Sequence, residues 1–145
     1  MAFEPNWEEF GYWGRYHGVG TVEDVLAYHH RLFSDPRSDE IVYRSADFTD
    51  VESVAAEEAG IERVAAMDWA AMTYSRRGPL LAVAVVPARI EPVVLPLLAL
   101  FREVSGHAAF ITRSRAEARE RLADELGRER FAGVRLLGEV FAERR

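Results

Sequence analysis

The 145-residue chain has no cysteine and no lysine; all 18 of its basic residues are arginine. Without cysteine there is no disulfide framework, no thiolate nucleophile and no cysteine-bearing zinc site. Without lysine there is no Schiff-base chemistry and no Walker-type phosphate lysine. Positive charge is scarce in sum as well. The 18 arginines face 24 acidic residues, for a net charge of -6. That balance argues against nucleic acid, because phosphate binding needs a basic face that releases counterions. Arginines do gather at Arg113, Arg115, Arg119, Arg121, Arg128 and Arg130, but Glu117, Glu120, Asp124, Glu125 and Glu129 interleave with them. Mixed signs at this spacing describe a solvated helix face. A long hydrophobic run is missing too. The most apolar stretch, Leu80 to Phe101, is broken by Arg89, Glu91, Pro87, Pro92 and Pro96, and reads as strand, loop and helix rather than a membrane span. The opening residues Met1-Ala2-Phe3-Glu4-Pro5 carry neither the charged nor the apolar region of a signal peptide, so the cytoplasm is the expected compartment.

What is present is a repeat. After an aromatic-rich N-terminal strand and a turn near Gly11, four segments read strand, turn, helix in the same order. The strands are expected over Tyr12 to Val19, Ile41 to Phe48, Leu80 to Val86 and His107 to Thr112. Alternation of this kind predicts an α/β domain with one mostly parallel sheet of four to five strands. Leu80 to Val86 is apolar on both faces, as a central parallel strand is. Thr21-Val22-Glu23-Asp24 is a capping-box variant opening a helix with the stripe Val22, Val25, Leu26, His29, Leu32 and Phe33. A second helix, near 60–75, has the stripe Ile61, Val64, Ala65, Asp68 and Met72. A third follows Pro92 and closes at Gly106, with Pro96 suggesting a later start. Ser114-Arg115-Ala116-Glu117 caps a fourth that runs through Leu126. Residues 127–145 hold Phe131, Val134, Leu137, Val140 and Phe141 at roughly helical spacing, interrupted by Gly133 and Gly138. The domain is therefore expected over 1–126, with an amphipathic extension over 127–145.

Few residues suggest chemistry. Gly18-Val19-Gly20-Thr21 lies where a dinucleotide-binding turn would begin, but the third glycine is missing and Glu23 would repel a pyrophosphate. A tight turn and an N-cap account for it, and no cofactor is expected. His29 and His30 diverge on their helix. His29 is expected in the core with a hydrogen bond and His30 in solvent; His17 and His107 lack ligand spacing, so no metal site is expected. No G-x-S-x-G elbow is present. Asp68, on the apolar face of its helix, is expected to be a structural carboxylate, in an ion pair for which Arg44 is a candidate or on a slightly rotated stripe, rather than an acid or base in a pocket. Asp47-Phe48-Thr49-Asp50 sits at the expected C-terminal end of a parallel strand, where open α/β sheets present their sites. Thr49-Asp50-Val51-Glu52 also reads as a capping box. The helix after Pro92 is apolar nearly all round, so burial on two sides is expected, the second against the tail or another subunit.

Several strings carry a family resemblance. They are Trp7-Glu8-Glu9 leading to Tyr16-His17-Gly18, Thr21-Val22-Glu23-Asp24, Asp35-Pro36-Arg37, Asp47-Phe48-Thr49-Asp50-Val51, Val64-Ala65-Ala66-Met67-Asp68 and Leu81-Ala82-Val83-Ala84-Val85-Val86. In this order, over residues 5–126, they resemble small bacterial proteins with a SpoIIAA-like fold, related to the STAS domain (sulfate transporter and anti-sigma-factor antagonist). The resemblance implies helices wound on the sheet in a βα superhelix. It implies no activity, since many such proteins have no known function. The Asp-Ser-Ser-Gly-Leu-like string that carries the phosphorylated serine of anti-sigma antagonists is absent, and no catalytic residue transfers. The reading is a non-enzymatic, cytoplasmic, homodimeric module that binds an unidentified protein partner. Its partner or switch surface is placed at Asp47, Thr49, Asp50 and Ser53, and its dimer interface at Leu97, Leu98 and Phe101. The alternative is a carrier or sensor of a small apolar, lipid-like ligand. Some related folds are associated with lipid binding, and the pocket is placed at Trp13, His17, Asp68 and Trp69, with Trp7 and the helix after Pro92.

Overall fold

The computed structural model describes residues 3–74, 80–107 and 109–127. A five-stranded sheet is formed by β1 (Phe3–Trp7), β2 (Gly11–Thr21), β3 (Tyr43–Ala55), β4 (Leu81–Val85) and β5 (Phe110–Thr112), in the order of the chain. β1 is antiparallel to β2; every other pairing is parallel. The helices are α1 (Val22–Ser34), α2 (Glu58–Thr73), α3 (Glu91–Ser105) and α4 (Arg115–Leu126). The sheet order dictates where they go. Each crossover from β2 to β5 steps one strand in the same direction, and such crossovers are right-handed. α1, α2 and α3 therefore share one face, and α4, which follows the last strand, covers the other.

Alternation along β2 shows how the two faces are specified. Tyr12 and Tyr16 point to the α1 side and join Phe3, Tyr28, Leu32 and Val94 in one core. Trp13 points the other way and joins Tyr43, Leu81, Val83, Val85, Ala118, Leu122 and Leu126. Gly14 permits the close seating of α1: a Cβ there would lie 2.4 Å from the Tyr28 ring. The capping box at Thr21 forms as its sequence predicts, with Thr21 Oγ1 accepting from the Asp24 amide and Asp24 accepting from the Thr21 amide. His29 is buried and His30 exposed.

Four expectations are corrected. β3 does not end at Phe48 but continues to Ala55, so Thr49-Asp50-Val51-Glu52 is strand and caps no helix. The reason is its partner: β2 runs on to Thr21 and pairs with β3 as far as Ala55. β5 starts at Phe110 rather than His107, because its pairing on β4 covers only Val83 to Val85. α3 starts at Glu91, and Pro96 lies inside it. Pro92 and Pro96 both sit on the exposed side, where water can satisfy the carbonyl that the missing Pro96 N–H leaves free. α3 is also not buried on two sides. Val94 is buried, whereas Val93 is 50% and Leu95 36% exposed. Residues 128–145, where the amphipathic extension was expected, lie outside the described residues. No helix among the described residues is long and apolar enough to cross a membrane.

Candidate functional site

Two buried aspartates, one on each face of the sheet, organise the polar interior. On the α4 face, Asp47 is 1% exposed. It accepts from Trp13 Nε1 at 2.9 Å, from Arg115 Nε at 2.6 Å, and from the Thr49 amide at 2.9 Å and the Thr49 hydroxyl at 2.5 Å. Arg115 then reaches Asp50 through Nη2 at 2.8 Å, and Arg15 meets the same Asp50 oxygen at 2.8 Å. Residues three apart on a regular strand face opposite ways. Here the register steps from Arg15↔Asp47 to His17↔Asp50, so β3 carries one residue more than β2. This bulge turns Asp50 to the side of Asp47 and lets one guanidinium serve both. Burial raises the pKa of Asp47, but the bonds from Arg115, Thr49 and Trp13 outweigh it and hold the carboxyl below its usual range. Arg15 and Arg115 do the same for Asp50.

Thr49 is half-buried with its hydroxyl committed to Asp47, whereas Ser53 is exposed further along β3. Beyond Asp47, β3 has outrun β4, and Arg89 Nη2 covers the freed carbonyls of Thr49 and Val51 at 2.8 and 2.5 Å. Arg15, Arg89 and Arg115 were not legible as site residues, since Arg115 lies 68 positions from Asp47 and nothing local announces the pairing.

On the opposite face, Asp68 is fully buried on α2. Its Oδ1 takes a 2.5 Å bond from Arg44 Nη1, the partner its sequence position suggests, and its Oδ2 lies 2.7 Å from His107 Nδ1. His29 Nε2 is 3.3 Å from Oδ1 but makes no hydrogen bond, and His29 Nδ1 lies 2.9 Å from the Val25 carbonyl. Burial would push Asp68 up, yet Arg44 and His29 overcome it and hold the carboxyl well below its usual range. A carboxylate so held does not carry a proton near neutral pH, which removes it as a general acid. Ser105 Oγ accepts from the His107 amide at 3.0 Å and so fixes the loop that brings His107 to Asp68.

Above Arg44, between the sheet and α1, α2 and α3, lies a cavity of about 300 Å³. Its wall includes Val25, Phe48, Val94, Leu97, Leu98 and Phe101. The volume falls at the low end of small-molecule sites, about 300–1,000 Å³. The residues named from sequence as a pocket do not converge on it. Trp13 is on the other face, His17 is exposed on β2 and Trp69 is 47% exposed on α2. Asp68 alone adjoins the cavity, behind Arg44, His29 and His107. The three residues named as a dimer interface, Leu97, Leu98 and Phe101, are half-buried and line the cavity instead of facing outward. Among the described residues no group of histidine and acidic side chains is arranged to hold a metal ion.

Neither protein-family models nor curated proteins yield a match to this chain. Among solved structures, the chain is similar to the anti-sigma factor antagonist SpoIIAA in its unphosphorylated form, with a TM-score of 0.53 and 10% sequence identity. The likeness covers 83% of this chain and 97% of SpoIIAA. Identity this low speaks to architecture and leaves the residue roles to the chain's own geometry. Together with the mostly parallel five-stranded sheet and its four helices, it identifies the fold of this chain as that of SpoIIAA.

Proposed function

We propose that this chain is a non-enzymatic, cytoplasmic regulatory module that binds a protein partner and forms a homodimer. The observation that carries the reading is apolar exposure on α3, where Val93 and Val104 are 50% and 39% exposed on the same flank of the helix. Apolar side chains exposed along one helix flank offer an interaction surface. The fold adds support, since the similar solved chain is described as an antagonist of another protein. Asp50, exposed and held by Arg15 and Arg115, offers a rigid charged group to a partner, with Ser53 beside it on β3. Asp47 is enclosed and acts by fixing Arg115. A phosphoswitch at Thr49 would have to break the bond to Asp47, so Ser53 is the more accessible of the two hydroxyls. Sedimentation analysis tests the dimer. The wild-type chain is expected at twice its monomer mass, and Val93→Arg at monomer mass with an unchanged melting temperature. A wild-type monomer at high concentration would end the dimer reading.

The cavity favours a second reading, the carrier or sensor of a small apolar ligand. A partly open apolar cavity beside the buried Asp68 cluster is larger than close packing ordinarily leaves. Native mass spectrometry of protein purified from its own host is expected to show added mass that dissociates on mild activation.

A further inference from the structure

We propose that the cavity beneath α3 binds an amphipathic monoanion, an apolar chain ending in one carboxylate or an equivalent charge. This rests on the small-ligand reading and adds the head group. The body of the ligand is set by the aliphatic and aromatic wall. The head group is set by charge. Among the described residues that line the cavity there is no aspartate or glutamate. Apart from Tyr16 and Tyr28, its ionisable side chains are His29, Arg44, Arg102 and His107, all basic. That is a marked local excess in a chain whose acidic residues outnumber its arginines.

One carboxylate stands behind this wall. Asp68 already serves Arg44 and His107 and lies 3.3 Å from His29, so a single negative charge faces three basic groups. His29 makes the imbalance concrete. A carbonyl only accepts, so the ring's Nδ1 must donate to Val25. Its Nε2 is buried and has no hydrogen-bond partner, in a residue only 5% exposed. The ring thus faces Asp68 without bonding it, and the carboxylate's own bonds go to Arg44 and His107. An anion entering the cavity meets Arg44 and the two histidines in a wall that holds no acidic side chain of its own among the described residues. Arg102, exposed near the end of α3, provides attraction at the rim. A low-polarity surrounding strengthens both effects.

Calorimetric titration of the full chain with sodium decanoate and, separately, with decanol decides the matter. Decanoate is expected to bind at least about tenfold more tightly, the worth of one charge-assisted hydrogen bond. Leu98→Trp, which fills the cavity, is expected to abolish binding of both. Arg102→Glu changes only the rim; it is expected to weaken decanoate several-fold and leave decanol unaffected, and it serves if Leu98→Trp fails to fold. Equal affinity for the two probes, or indifference of decanoate to Arg102→Glu, would overturn the anion proposal while the apolar-ligand reading stands. Binding that survives Leu98→Trp in the folded protein would place it elsewhere and overturn the proposal. Binding of neither probe, with no shift in melting temperature, would overturn both readings.

Discussion

Asp47 and Asp68 are the same residue type, both enclosed and both paired with arginine, yet they do different things. Asp47 is saturated: an indole, a guanidinium, an amide and a hydroxyl all donate to it. Its arginine comes from the start of α4, so the bond ties that helix to the strand that carries the carboxylate. No lone pair is left for a ligand, and the network runs outward to Asp50 and solvent. Asp68 is ringed by Arg44, His29 and His107, and that basic set forms part of a cavity wall. The lesson is that burial and pairing alone do not separate a structural carboxylate from one that supports a site. The separation lies in whether the surrounding donors are used up.

Breaking the pairs tests this contrast. The largest effect is expected from Arg44→Met, which leaves Asp68 enclosed without its main counter-charge and should cost about 3–5 kcal/mol in chemical denaturation. The double variant Arg44→Met/Asp68→Leu should recover most of that loss; a single variant as stable as wild type would show that the pair does not support α2. Asp47→Ala strands the Trp13 indole and the Arg115 guanidinium, and should cost about 2–3 kcal/mol. The loss is expected together with a change in Trp13 fluorescence as α4 loosens, and intact α4 packing at wild-type stability would refute the clamp. Acid sharpens the comparison by a smaller amount over the accessible range. Both carboxyls titrate lower in the folded chain than in the unfolded one. The stability they confer is thus fully present above about pH 4, the ordinary aspartate range, and is lost as pH falls through their folded values. Thermal melts should be flat with respect to these two groups from pH 7 to about pH 5, and Asp68→Leu in the double variant should blunt the fall below that. The smallest effect belongs to Asp50→Arg. Its ion pairs are half-exposed, so stability should change by less than about 1 kcal/mol, whereas partner binding, measured by pull-down with an identified partner, should be lost. Retained binding would move the partner surface away from Asp50.

Much of the fold was readable residue by residue. The Thr21 cap, the glycine at the end of α3, the Ser114 cap and the two-faced apolar strand β4 are local patterns, and each formed. The pairing of Asp68 with Arg44 was readable because an acid on an apolar stripe needs a counter-charge and Arg44 interrupts an apolar strand. The length of β3 was not readable. Its second half carries acids and a threonine that also suit a cap, and the decision belonged to β2, whose extended edge gave those residues a ladder to join. The helix after Pro92, named with the pocket from sequence, does line the cavity, but the tryptophans named with it do not. Strand alternation sends Trp13 to the other face, and helix rotation leaves Trp69 in solvent.

The sequence by itself determined the order of elements, the parallel sheet and the exclusion of cysteine and lysine chemistry, because these follow from local periodicity and composition. The tertiary structure alone decided that Arg115 spans Asp47 and Asp50, that His29 and His107 meet at Asp68, and that the cavity wall is basic. Those arrangements depend on a bulge in one strand and on the seating of helices far apart in the chain. Such distances are set by packing, and a linear pattern does not record them.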